Sequence, residues 1–130
     1  MKHMYLIIAL STFFAFNGYA RKTVSTVKPL TSEEFQKIIA SKTVTLIDVR
    51  TAEEFSDGHI PGAVNLDVNN PDFVSSIEKL IKKKPLALYC RSGNRSKLAA
   101  AKLSKLKIKI YELNLGIKDW IQAGFPVTKE

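Results

Sequence analysis

Short apolar runs recurring between amphipathic stretches constrain this chain more than any other feature. Val44-Thr45-Leu46-Ile47 and Leu86-Ala87-Leu88-Tyr89 are continuous and apolar or β-branched, and each is too short for a helix. Both read as strands buried on two faces, ending at Asp48 and at Cys90. Ile108 to Leu113 reads as a further strand, and Ala63 to Leu66 as another short one. Helices are expected between them. Thr31-Ser32-Glu33-Glu34 is a capping box that opens a helix with Phe35, Ile38 and Ile39 on one face. Thr51 to Glu54 repeats the box, with Gly58 placed to close the helix. Pro71 is expected as the first residue of a helix that carries Phe73, Ile77, Leu80 and Ile81 and stops at Pro85. Ser96 to Leu103 reads as helical, and Gly116 and Gly124 bracket a last helix with Ile117, Trp120 and Ile121. Strands alternating with helices predict an α/β fold of three layers, a central parallel sheet with helices on both faces. Ligands of such folds bind beyond the carboxyl ends of the strands, where Asp48 and Cys90 lie.

The first twenty residues read differently. Lys2 and His3 precede an uncharged stretch from Met4 to Phe16, and Gly18-Tyr19-Ala20 closes it with small residues at its ends. This is the layout of a secretory signal peptide, too short in its apolar core for the ~20 residues of a spanning helix. Residues 1–20 are therefore expected to direct export to a periplasmic or secreted location, leaving a chain that begins at Arg21. The alternative is a retained membrane anchor. Residues 21–27 read as a short lead-in, and 28–130 as one domain.

Charge excludes some partners. The chain carries 20 Lys and Arg against 12 Asp and Glu, a formal charge of +8. Its lysines gather at Lys82 to Lys84 and at Lys102, Lys105, Lys107 and Lys109, with no aromatic residues interleaved to stack on bases. That pattern points to a solvated basic surface, able to draw in small anions, and not to a nucleic-acid groove. Cys90 is the one cysteine, so no internal disulfide forms, and with His59 as the only histidine beyond the leader no closed zinc site is available. No dinucleotide fingerprint appears, and no cofactor is implied beyond covalent sulfur. No stable membrane association is expected once the leader is removed.

The chemistry gathers at Cys90. Arg91-Ser92-Gly93-Asn94-Arg95 separates the thiol from the helix expected at Ser96. A turn entering a helix points its N–H groups inward, Gly93 lets it curl, and Asn94 tolerates a left-handed backbone. Successive N–H groups of this kind form an anion nest. Arg91 and Arg95 add fixed positive charge, and together these influences favour a nucleophilic thiolate. The plainer alternative is a small inert cysteine at the end of a core strand. A Cys–His dyad would need His59, which sits in the turn Gly58-His59-Ile60-Pro61-Gly62 and has a local role there.

Three motifs then carry a family resemblance. Cys90 to Ser96 resembles the active-site loop of single-domain rhodaneses, the thiosulfate sulfurtransferases. Leu46-Ile47-Asp48-Val49-Arg50 through Glu53-Glu54-Phe55 to Gly58-His59-Ile60-Pro61-Gly62-Ala63 resembles that family's N-terminal signature. Gly116-Ile117-Lys118-Asp119-Trp120 with Gly124-Phe125-Pro126-Val127 is similar to its C-terminal signature, so the match runs over about residues 28 to 128. The resemblance implies a rhodanese fold and ping-pong transfer of sulfane sulfur from thiosulfate or a similar donor, through a Cys90 persulfide, to cyanide or a thiol. The amides of residues 91 to 95, with Ser92, Gly93 and Asn94, would hold the outer sulfur, and Arg91 and Arg95 would hold the anionic donor. Asp48, Arg50 and Ser96 are expected to position the loop, Asp48 by accepting from its backbone and Arg50 by pairing with Glu53 or Glu54. Trp120 is expected in the core. Partners would be a small anionic donor and a thiophilic acceptor, or a protein that receives the sulfur. Two rivals are a persulfide carrier or binding module without catalysis, and a small phosphatase or arsenate reductase. The latter uses Cys-x5-Arg, whereas four residues separate Cys90 from Arg95.

Overall fold

A computed structural model describes residues 24–130. The leader expected at residues 1–20, with its cleavage point, lies outside the described residues. Within them, no helix is long and apolar enough to cross a membrane.

Five strands form one sheet: β1 (Thr26–Leu30), β2 (Thr45–Asp48), β3 (Val64–Asn65), β4 (Leu86–Tyr89) and β5 (Lys109–Leu113). Their order is β1-β5-β4-β2-β3, and every pairing is parallel. The helices are α1 (Ser32–Ala40), α2 (Ala52–Asp57), α3 (Phe73–Leu80), α4 (Asn94–Lys102) and α5 (Gly116–Gln122). Because side chains alternate along a strand, Leu86, Leu88 and Cys90 face one side with Ile47 and Ile110, where Phe73 and Ile77 of α3 and Ala99 of α4 cover them. Leu46, Ala87 and Tyr89 face the other, packed by Phe35 of α1 and by Ile117 and Trp120 of α5. Each completely buried leucine or isoleucine contributes about 2 kcal/mol. The expected three-layer fold is what forms.

Several boundaries differ, each for a local reason. β1 begins inside the stretch read as a lead-in. Its first four residues are exposed and only Leu30 is buried, so no apolar run announces it, and Pro29 is tolerated because β1 is an edge strand. α3 starts at Phe73, not Pro71: Asn70 Oδ1 accepts from Asp72 N at 2.9 Å, holding Pro71 in the preceding turn. α4 starts at Asn94, two residues before Ser96, and the left-handed residue is Gly93 at φ +102°, not Asn94. The capping box at Thr31 is complete, but at Thr51 only half forms, because the Glu54 carboxylate accepts from the Thr51 hydroxyl and from Arg95 and not from Thr51 N.

The loops after β4 and β5 meet at very close range. A Cβ on Gly116, whose φ is +72°, would lie 2.1 Å from the carbonyl oxygen of Arg91 and 2.5 Å from Ser92 N. A Cβ on Gly93 would lie 2.1 Å from the carbonyl oxygen of Asn114. Gly124 has a similar φ of +86° but open space around it. Gly124→Ala should therefore cost only backbone strain, about 1 kcal/mol, and Gly116→Ala about 3 kcal/mol, since strain and overlap add. Urea unfolding of both variants measures the difference.

Candidate active site

Cys90 leaves the end of β4 and is 1% exposed. Its sulfur accepts a hydrogen bond from Gly93 N at 3.1 Å and lies 3.6 Å from Ser96 Oγ. The loop carbonyls point the other way. Ile117 N donates to the Cys90 carbonyl at 2.9 Å and Lys118 N to that of Arg91 at 3.1 Å. These are free N–H groups from the first turn of α5. A trans peptide sets C=O and the next N–H in opposite directions, so carbonyls tied to α5 leave the Arg91 and Ser92 amides turned from it. Burial pushes the Cys90 thiol up, but the Ser96 hydroxyl and the amides of Ser96, Gly93 and Ser92 outweigh it and hold the thiol below its ordinary value. A sulfur anion is therefore accommodated.

The arginines take other roles than spacing implies. Arg95 does not stand free over the sulfur. Its Nη1 and Nη2 fork onto Glu54 Oε1 and Oε2 at 2.6 and 2.8 Å, tying α4 to α2. Arg91 is exposed and lines a cleft of about 340 Å³ with Arg50, Glu54, Asp57, Ile117, Lys118 and Ile121. It is thus placed to meet a solute arriving at the loop. Asn94 and Ser92 are exposed beside it.

Asp48 and Arg50 pair with each other. Arg50 Nη2 donates to Asp48 Oδ2 at 2.7 Å and to the Gly58 carbonyl at 2.7 Å, while Arg50 N donates to Asp48 Oδ1 at 2.9 Å. Arg50 was expected to bond Glu53 or Glu54, and Asp48 the Cys90 loop. Neither bond forms, because the backbone turn after β2 brings the two side chains together first. Burial pushes the Tyr89 phenol up, and the Asp48 charge adds to this. Tyr89 stays neutral and its oxygen accepts from Ile60 N at 3.0 Å. His59 stacks on Phe55, its Nδ1 lies 2.9 Å from the Phe55 carbonyl, and its backbone pairs with Thr128. It fixes its own turn. Trp120 is buried and donates from Nε1 to the Pro126 carbonyl at 2.8 Å.

Two further residues belong to this region and were missed from sequence. Glu112 of β5 is 1% exposed, and its Oε1 accepts from Ser96 Oγ at 2.7 Å and from Lys97 Nζ at 3.1 Å. Lys97 also reaches the carbonyls of Gly93 and Asn114, linking the two loops. The available signal was a carboxylate between the apolar residues of a strand, with Ile110 and Leu113 buried on either side. A roomier cavity of about 490 Å³ opens beside Val44 and Lys84, at the other end of the sheet. Its lining is largely apolar, with Lys42 and Lys84 at its edge and no thiol, hydroxyl or carboxylate.

The match to a family model, that of the rhodanese-like domain, covers residues 31–123 and so takes in the Cys90 loop, the N-terminal signature and the Gly116–Trp120 part of the C-terminal one. The chain belongs to the rhodanese-like domain family. Among its relatives in this sulfurtransferase family, the thiosulfate sulfurtransferase GlpE of Shewanella oneidensis is 31% identical over 102 residues, covering 78% of this chain and 99% of GlpE. YrkF of Bacillus subtilis, named as a sulfur carrier candidate, is 27% identical over 104 residues, and the match spans 78% of this chain and 55% of YrkF. A solved rhodanese-related protein from Thermoplasma volcanium superposes with a TM-score of 0.71 at 30% identity, over 79% of this chain and 99% of that one.

The Arg95–Glu54 fork has a pH signature. Arg95 lowers the Glu54 carboxyl to about 2, against an ordinary value of 4.5. A depressed carboxyl stabilises the fold above its unfolded value and loses that contribution as pH falls through the folded one. The window therefore runs from about pH 4.5 down to about 2. Both side chains are about 30% exposed, so screening limits the pair to about 1 kcal/mol. Glu54→Gln should be less stable than the wild type by about that amount at pH 7, with the gap closing towards pH 2. Urea melts across that range read it.

Proposed function

We propose that the protein is a sulfurtransferase that takes sulfane sulfur from thiosulfate or a similar anionic donor and passes it on through a persulfide on Cys90. The observation that carries this reading is the buried sulfur of Cys90, facing amides of a loop whose carbonyls are fixed to α5. In the first step the Cys90 thiolate attacks the sulfane sulfur of thiosulfate. The S–S bond of the donor breaks, its electron pair leaves with sulfite, and Cys90 carries an S–S⁻ group. In the second, cyanide or a thiolate attacks the outer sulfur, and the electron pair of the broken bond returns to Cys90. Splitting one transfer into two displacements is covalent catalysis. The exposed Arg91, with Lys118 in the same cleft, draws in the donor, and the Gly93 and Ser92 amides hold the outer sulfur. Arg95 orders the loop through Glu54.

Delivery to a protein thiol is the second reading. The burial of Cys90 supports it, because an acceptor must reach into the loop, and so does the naming of YrkF. Phosphoryl transfer is disfavoured: the guanidinium of Arg95, which would hold a phosphate in a longer loop, is engaged by Glu54. We further propose that residues 1–20 export the chain. Material recovered from the exported fraction of a host should begin at Arg21, and an intact leader there would overturn this.

Residues 21–130 incubated with thiosulfate should gain the mass of one sulfur atom. Cyanide should remove it, and Cys90→Ser should never acquire it. No gain, with the thiol still open to alkylation, would reject thiosulfate as donor and leave delivery from a protein to be tested.

A further inference from the structure

Glu112 is a buried carboxylate that the two displacement steps do not use. Its position follows from the sheet. β4 and β5 pair Leu86 with Ile110 and Leu88 with Glu112, so Glu112 faces the same side as Leu88 and lies one step along the sheet from Cys90. Ser96 from α4 stands between them. Its Oγ is 2.7 Å from Glu112 Oε1, 3.0 Å from the Gly93 carbonyl oxygen and 3.6 Å from Cys90 Sγ. A serine hydroxyl has one proton to donate. With three acceptors in reach, the group that takes the proton decides what the others face.

We propose that Glu112 is a positioning residue that acts through Ser96 to restrain ionisation of Cys90. In the thiol state all donors match: Cys90 S–H donates to Ser96 Oγ, and Ser96 O–H donates to Glu112. When Cys90 ionises, its sulfur needs the Ser96 proton, and turning the hydroxyl withdraws it from Glu112. The Glu112 carboxylate then keeps Lys97 alone and faces a second negative charge a few ångströms away. Glu112 thus opposes the thiolate while the loop amides favour it. The other charged groups around the pair are Arg91 at the rim, Lys97 above Glu112, and Arg95, which answers Glu54 with Asp67 nearby. α3 offers Phe73 and Ile77, which are apolar.

On the sulfur-transfer reading, which this second step rests on, the restraint favours the loaded form. In a persulfide the charge sits on the outer sulfur, away from Glu112. The bonded Sγ is neutral, so Ser96 returns its proton to the carboxylate without conflict. Glu112 therefore lowers the loaded state relative to the free thiolate.

The test is the pH dependence of iodoacetamide alkylation, which reports Cys90 alone because it is the one cysteine. Glu112→Gln should move the midpoint down by about one pH unit. Ser96→Ala should raise it, and in that background Glu112→Gln should shift it by less than half as much. A midpoint that stays or rises in Glu112→Gln overturns the proposal, as does an equal shift with and without Ser96. Should thermal melting show Glu112→Gln unfolded, Glu112→Asp withdraws the carboxylate from Ser96 and keeps its charge. A downward shift is again expected, and none overturns the proposal. Where the persulfide loads, Glu112→Gln should also discharge faster to cyanide, because a thiolate of lower basicity leaves more readily. The alkylation midpoint stands whether or not thiosulfate is the donor, so the two readings fail separately.

Discussion

Two carbonyl groups lying where side chains would otherwise be hold the Cys90 end of this fold together. Arg91 O occupies the space of a Cβ on Gly116, and Asn114 O that of a Cβ on Gly93. The loops after β4 and β5 therefore cross in direct backbone contact, closer than any residue with a side chain permits. The contact has a chemical consequence. It brings the first free amides of α5 onto the carbonyls of Cys90 and Arg91, and those carbonyls are thereby satisfied by protein. Their partner amides are turned from α5, with Gly93 N on the sulfur. The parallel register of β4 with β5 determines which loop residues can meet, so sheet pairing and sulfur environment are one geometric fact.

Around that contact the polar groups are closed into pairs. Among the described residues, no buried side-chain nitrogen or oxygen lacks a hydrogen-bond partner. Asp48 and Arg50 neutralise each other beneath Tyr89, and Glu54 and Arg95 join α2 to α4 across the mouth of the loop. A buried ion pair adds little net stability, since desolvation offsets most of its attraction. What such pairs do supply is direction, because removing either partner leaves a costly charge. The pairs therefore fix where the loop sits. Arg91 and Lys118 are exposed at the rim and have no ion-pair partner among the described residues.

Much of this was legible in the chain, for physical reasons. Runs such as Leu86 to Tyr89 can only be strands buried on both faces, and a thiol at the end of one, ahead of a glycine turn and a helix, lies where parallel sheets place their ligands. β1 was not legible, because an edge strand with one buried residue and a proline carries no apolar pattern. The partner of Arg50 was misjudged because spacing cannot rank one nearby carboxylate against another, and the bond from Arg95 to Glu54 was not read at all because it joins residues far apart in the chain. Glu54 reads as half of a capping box, and its carboxylate instead crosses to another helix. Glu112 was passed over because its strand was judged by its apolar neighbours. A lone carboxylate in a buried strand must have partners, and asking which ones would have led to Ser96 and Lys97.

The remaining question is what burial does for the Cys90 sulfur. An exposed thiolate is solvated by water that reorganises freely, so each change in charge position is met by new solvent. Amides fixed by α5 cannot follow the charge; they favour it at set points. A thiolate places its charge on Sγ, whereas a persulfide places it one S–S bond, about 2 Å, further out. A rigid nest therefore discriminates between the two forms by where its N–H groups point, and Glu112 behind Sγ adds to that discrimination from the other side. Burial of Cys90 keeps both influences strong, because the low dielectric that makes an unpaired charge costly also strengthens each dipole aimed at it. On the sulfur-transfer reading, the fold acts by making the loaded and empty sulfur unequal, and that inequality sets which acceptors can discharge it.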